Sequence, residues 1–259
     1  MKNYIFIILI LFSIQVEAQS WKLLWSDEFN YSGLPDSTKW SHEVGNNKNN
    51  ELQCYTSRRP ENSIVKNGNL HIIALKEDFQ KAKYTSARLS TDGKFSFKYG
   101  KIEARIKTTT GKGIWPAFWL LGQNIAEVGS PKCGEIDIME HVNTEDKIHS
   151  AMHWDNNGLV SHSGTKTCKV LQFHTYAVEW NKNSVKWFLD GKKYFEGEIK
   201  ADKHNTAEFQ QPFYIILNMA VGGTWPGKPD NTTTFPDTLY VDYVRVYQKP
   251  QSKLLNLKF

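Results

Sequence analysis

The sequence is poor in cysteine. Cys54, Cys133 and Cys168 are the only three in 259 residues. They form no CxxC or Cys/His arrangement, so no thiolate zinc centre is expected. In an exported protein one pair could bridge and leave an odd thiol, and spacing does not choose the pair. Charge of one sign is lacking too: 32 Lys and Arg stand against 27 Asp and Glu, a formal net charge of +5. The basic residues are interleaved with acids, which excludes a nucleic-acid footprint. There is no internal repeat, no low-complexity linker and no sustained 3.6-residue periodicity beyond a short turn of helix.

Long hydrophobic runs are confined to the start. Lys2 is followed by the apolar stretch Ile5 to Phe12, and Val16-Glu17-Ala18 precedes Gln19. This pattern predicts a signal peptide over 1–18, too short in its apolar part to span a bilayer comfortably. No later segment is apolar enough to cross a membrane. The expected product is a secreted, monomeric protein, extracellular or periplasmic, with no membrane contact once the signal is removed. It has one domain over 19–248 and a tail over 249–259 that either hangs loose or packs back through Leu254, Leu255 and Phe259.

Aromatic rings are abundant. Nine Trp, 11 Tyr and 14 Phe make up 13% of the chain. Rings on this scale fill cores and line ligand clefts. Between turn residues the chain shows short segments of period-2 alternation: Leu70–Leu75 after Asn67-Gly68-Asn69, Lys101–Lys107, Thr175–Trp180, and Val185–Leu189 ending at Asp190-Gly191. Phe213–Met219 is continuously apolar, and Tyr240–Tyr247 alternates again. Many short strands with regular turn signals predict an all-β sandwich or jelly roll.

The segment Gly134-Glu135-Ile136-Asp137-Ile138-Met139-Glu140-His141 carries the chemistry. On a strand Glu135 and Asp137 share one face, while Ile136 and Ile138 point the other way into the core. Strict alternation would bury Glu140 among the isoleucines, which is costly for an unpaired carboxylate. A β-bulge near Met139 returns it to the acidic face. Three carboxyls on one face repel, so one pKa rises, as glycoside hydrolysis requires of its acid. Spacing alone leaves two other readings open: a solvated acidic face paired with Lys or Arg, and a metal site that includes His141.

A wider set of motifs narrows the choice. Glu135-Ile136-Asp137-Ile138-Met139-Glu140 resembles the active-site strand of glycoside hydrolase family 16, in the ExDxxE form of its laminarinase-like branch. Further matches are Trp25-Ser26-Asp27-Glu28-Phe29, Asn50-Glu51-Leu52-Gln53, Tyr84–Leu89, Tyr99–Arg105, Gly113–Gly122, Leu217–Gly227 and Tyr240–Tyr247. The resemblance spans roughly Trp21 to Gln248. It implies a β-jelly-roll sandwich of two curved antiparallel sheets with a concave substrate cleft. It also implies endo-hydrolysis of β-1,3-glucan, of laminarin type or mixed-linkage β-1,3-1,4, with retention of configuration through a covalent glycosyl-enzyme. By position, Glu135 is the nucleophile, Glu140 the general acid/base, and Asp137 assists between them.

The same resemblance implies sugar platforms at Trp115 and Trp119, which flank Pro116 where a regular strand is not expected. Trp225, in a Gly-rich loop, resembles a platform further from the scissile bond. Arg88, Asn46 and Glu51 resemble residues that bind sugar hydroxyls, and His153 a histidine that reaches the cleft. No cofactor is implied for catalysis. One structural calcium is implied, held by the Asp242 side chain with backbone oxygens of Glu28 and Gly68, a donor set that suits a hard cation. The one departure from the common pattern is Cys54, which stands where an aromatic is frequent.

Overall fold

The computed structural model describes residues 20–45, 49–200 and 205–250. The expected signal peptide, Asn46, and Leu254, Leu255 and Phe259 of the tail lie outside the described residues. In chain order the strands are β1 (Lys22–Asp27), β2 (Ser41–Glu43), β3 (Gln53–Tyr55), β4 (Ser63–Lys66), β5 (Asn69–Phe79), β6 (Ala82–Ser86), β7 (Arg88–Ser90), β8 (Gly100–Lys107), β9 (Ile114–Gly122), β10 (Glu135–Glu140), β11 (Lys147–Asp155), β12 (Leu159–Thr167), β13 (His174–Trp180), β14 (Ser184–Leu189), β15 (Lys192–Glu198), β16 (Phe213–Val221) and β17 (Asp237–Gln248). Each alternating or apolar segment read from the sequence lies in one of them. Helix is limited to single turns at Ile125–Val128 and Ala207–Gln210 among the described residues. At Asp190-Gly191 both residues have positive φ, 49° and 74°. That backbone matches the twist of a two-residue hairpin, here between β14 and β15.

The strands form two sheets, as expected of a jelly-roll sandwich. One has ten strands, with β15-β14-β13-β8-β17-β5-β6-β3 in a row, β1 on β17 and β4 on β5. The other has seven, in the order β12-β11-β10-β9-β16-β7-β2. Pairing is antiparallel except between β3 and β6. The core lies between the sheets. Ile136, Ile138, Met139, Phe118, Leu120, Ile215, Leu217 and Met219 enter it from the seven-stranded sheet, and Ile102, Ile106, Val178, Trp187, Val241 and Val244 from the other. Each such side chain stabilises the fold by about 1.5–3 kcal/mol on full burial.

Pro116 corrects an expectation. It sits inside β9, a central strand, in regular register opposite Met219. On the β10 side its partner is His141, one residue past the end of β10, whose N–H reaches the Pro116 carbonyl at 3.1 Å. Past the end of β10 the pairing continues through one-way bonds, with the Asn143 N–H on the Ile114 carbonyl at 3.1 Å as the next, and neither of these rungs draws on the proline nitrogen. The cysteines are all free thiols, with Cys54 and Cys133 buried.

Candidate active site

The acidic segment is strand β10, third from one edge of the seven-stranded sheet. Ile136 and Ile138 are buried in the core, as alternation predicts. The expected bulge is present. Asp137 pairs with Trp119 and Met139 with Phe118 on one side, and Asp137 with Ala151 and Glu140 with His149 on the other. One residue too many is therefore fitted between Asp137 and Glu140. Met139 goes into the core and Glu140 rejoins Glu135 and Asp137 on the opposite face.

A bulge frees backbone groups from the ladder, and they need partners. The Asp137 carbonyl accepts from Trp187 Nε1 at 2.7 Å, an indole donated by the facing sheet. The Ile138 carbonyl accepts from Ser150 Oγ at 2.9 Å, and Ser150 is 2.6 Å from the Tyr194 hydroxyl. Three side chains from β11, β14 and β15 thus hold the irregular strand in place.

The face so formed is the floor of a trench of about 830 Å³. Its lining comes from all seven strands, from Glu43 and Arg88 at one side to Leu159, Ser161 and Ser163 at the other. On β9 the alternation Trp115, Ala117, Trp119, Leu121 faces the trench, while Phe118 and Leu120 face the core.

Asp137 is buried on this floor, and burial pushes its carboxyl up to about 8. Its Oδ2 lies 3.1 Å from His153 Nε2, which is 4.0 Å from Glu135 Oε1. His153 Nδ1 meets Ser161 Oγ at 2.6 Å. Glu140 is pushed well above the usual carboxylate range, first by burial and then by the Asp137 and Glu135 charges; the Trp115 N–H bond opposes this. Trp115 Nε1 donates to Glu140 Oε1 at 2.9 Å. Low polarity and like charges thus favour the protonated form of both Asp137 and Glu140 over a fully ionised trio.

The other expected residues fall as follows. Trp119 lines the trench, with its N–H on Asn218 at 2.7 Å and Arg88 4.7 Å above its ring. Arg88 is paired with Glu43 at 2.8 Å. Glu51 accepts from Gln53 at 2.7 Å, and burial raises its pKa. Trp225 is 44% exposed and packs edge-on against Trp115, ring centroids 5.4 Å apart. It therefore sits one ring away from Glu140. His141 points away from the trench: it is fully buried and its Nε2–H donates to the Glu145 carbonyl at 2.7 Å.

Sequence reasoning passed over Glu43, Asn218, His149 and Ser161, all of which line the trench. Asn218 carried a signal, being the only polar residue in the buried run Phe213–Val221. It bridges Trp119 to the Tyr55 hydroxyl. Glu43 and Ser161 carried none, since each is placed by strands distant in the chain.

For a cation, ligand-type atoms of Glu135, Asp137 and His153 lie within 4.8 Å of one another. An ion there would occupy the carboxylate that faces the trench. Asp242, the residue expected to hold calcium, lies on β17 with Oδ2 2.6 Å from Arg105 Nη1. Glu28 is clasped by Arg245 at 2.7 Å, and Gly68 lies in the β4–β5 turn. A calcium there would share the Asp242 carboxylate with Arg105.

The family model described as glycosyl hydrolases family 16 matches residues 47–245. A beta-glucanase of Rhodothermus marinus is 42% identical over 249 residues, 90% of this chain and 87% of that protein. The clotting factor G alpha subunit of Tachypleus tridentatus is 43% identical over 88% of this chain, which spans only 34% of that subunit's length. The X-ray structure of the Rhodothermus marinus laminarinase superposes with a TM-score of 0.85 at 40% identity, covering 91% of this chain and all of that one (100%).

Proposed function

The chain belongs to the glycosyl hydrolases of family 16, and from that premise we propose that it is a secreted endo-1,3-β-glucanase of laminarinase type that retains anomeric configuration. The observation that carries this reading is the bulge in β10. It puts Glu135, Asp137 and Glu140 on one face of an open trench, where burial and the neighbouring carboxylates favour the protonated form of Glu140. A trench lined by indole rings and polar groups suits a polysaccharide, whose C–H faces stack on rings while its hydroxyls meet side chains.

Glu135 attacks the anomeric carbon as a carboxylate, and the bond to the leaving oxygen breaks as Glu140 delivers its proton there. The product of this step is a glycosyl ester on Glu135. Glu140, now ionised, takes a proton from water, which opens the ester and restores both carboxyls. Asp137, neutral through burial, donates a hydrogen bond toward Glu135 and limits the charge on the floor. Trp115 and Trp119 support sugar rings next to the scissile bond, and Arg88, Glu51 and His153 engage hydroxyls. No cofactor enters these steps. A mixed-linkage glucan is cut wherever a β-1,3 bond occupies the right place.

The test is reducing-sugar release from laminarin, mixed-linkage β-glucan and agarose by wild type and by Glu135→Gln. Laminarin is expected to be the best substrate, with Glu135→Gln inert. Equal inertness of both proteins across the panel, with binding retained, would make the chain a glucan-binding module. Glu140→Gln is expected to lose about 10²–10⁴-fold in turnover, the usual share of a general acid.

A further inference from the structure

The segment that leads from β10 into β11 carries a cluster of titratable side chains that takes no part in the glycosyl-transfer steps. His141, Glu145 and His149 are spaced by four, and both histidines bond to Glu145, one at its backbone carbonyl and the other at its carboxylate. His141 donates to the Glu145 carbonyl at 2.7 Å. The Glu145 carboxylate holds His149 Nε2 at 2.7 Å, with Lys147 Nζ at 3.6 Å. A carboxylate on one ring nitrogen fixes the tilt of an imidazole.

His149 lies directly opposite Glu140 in the β10–β11 register and faces the trench. Its ring meets Trp225 edge-on, centroids 4.8 Å apart at 83°. Trp225 in turn meets Trp115 edge-on at 5.4 Å and 84°. Trp115 donates its indole N–H to Glu140. The path therefore leaves the strand after Glu140 and returns to the Glu140 side chain. Trp225 is carried by a loop with Gly222, Gly223 and Gly227 all at positive φ, so local backbone preference does little to fix the ring. On its far side that loop is tied to Asn49 and Asn50 through Thr224. On the catalytic side Trp225 meets two rings, and edge-on ring pairs attract beyond the area they bury.

We propose that Glu145 and His149 are positioning residues for the acid/base: they hold Trp225 against Trp115, so that the Trp115 N–H meets Glu140 in one geometry. This rests on the assignment of Glu140 as acid/base made above. A misplaced acid slows departure of a sugar, which needs a proton, and hardly affects departure of a dinitrophenolate, which does not.

The experiment compares wild type, His149→Ala, Glu145→Ala and His149→Phe on laminarin and on 2,4-dinitrophenyl β-laminaribioside. For His149→Ala and Glu145→Ala, kcat at saturating laminarin is expected to fall about tenfold, while kcat/KM for the dinitrophenyl substrate stays within about twofold. His149→Phe keeps a ring edge against Trp225 and is expected to recover most of the laminarin rate. Equal losses on both substrates would mean a general structural defect and would overturn the proposal, as would an unchanged laminarin rate. Wild-type inactivity on both substrates would instead remove the glucanase reading itself.

Discussion

Asp137 shows at the scale of one residue what this site costs the fold. Its carboxyl is buried and holds its proton up to about pH 8, against 3.8 for the free group. In the unfolded chain the proton leaves near pH 4. The folded state binds more protons in between, so the contribution of this group to stability is full below about pH 4 and declines as pH rises toward 8. Asp137→Asn keeps shape and hydrogen bonding and removes the titration. It is expected to raise the melting temperature at pH 7–8, by roughly 2–4 °C per kcal/mol recovered, with little change at pH 4, and to lower kcat. Scanning calorimetry at the two pH values checks this; a lower melting temperature at pH 8 would contradict it. The Trp115 bond works on Glu140 in the opposite sense, because an N–H donor stabilises the carboxylate. In Trp115→Phe the pKa of Glu140 is expected to rise further, and the alkaline limb of kcat/KM to move to higher pH. A limb that moves to lower pH would refute the assignment.

At the scale of one element, the irregularity in β10 is the decisive feature. Trp187 reaches across from the other sheet to satisfy the Asp137 carbonyl, 50 residues earlier in the chain. Trp187→Phe keeps most of the ring but orphans that carbonyl, at a cost of about 1–3 kcal/mol. Thermal unfolding is expected to show that loss, and laminarin kinetics a fall in kcat larger than any change in KM, because Glu140 is no longer held on the acidic face. The need for a bulge was legible, since Glu140 falls on the wrong face unless a residue is added. Its supports were not: Trp187, Ser150 and Tyr194 are an indole, a hydroxyl and a phenol in unremarkable strands, and only sheet packing brings them together. Strand positions were legible for the same reason that the bulge was, because period-2 alternation survives in β8, β13, β14 and β17. Pro116 was misread because a proline is tolerated in a strand where its neighbour bonds only to its carbonyl, as the His141 N–H does here, and that is a tertiary fact.

At the scale of the whole molecule, the two sheets divide the labour, and motifs shared with the family are not all at the site. Asp27, in the Trp25–Phe29 motif, is buried and bonded to Trp40, Tyr31 and the Phe29 N–H, so it serves the fold. The ten-stranded sheet carries Asp242, far in the chain from the acidic trio. If calcium binds there as the family resemblance implies, adding it is expected to raise the melting temperature of wild type and not of Asp242→Asn, and a chelator to leave laminarin turnover unchanged. Turnover that a chelator abolishes would instead place a metal in the chemistry.

The place of β10 in the strand order has a consequence for what a digest contains. Two strands lie beyond it toward the β12 edge and four toward the β2 edge. At about 4.8 Å per strand that is roughly 10 Å of floor on one side and 19 Å on the other. The sheet thus acts as a ruler with its mark off centre. A glucan long enough to lie across the whole width is gripped along its length, whereas a fragment too short to reach the β2 edge loses contacts on the longer arm. Cleavage is therefore expected to slow as fragments shrink, and oligosaccharides too short to span the longer arm to accumulate.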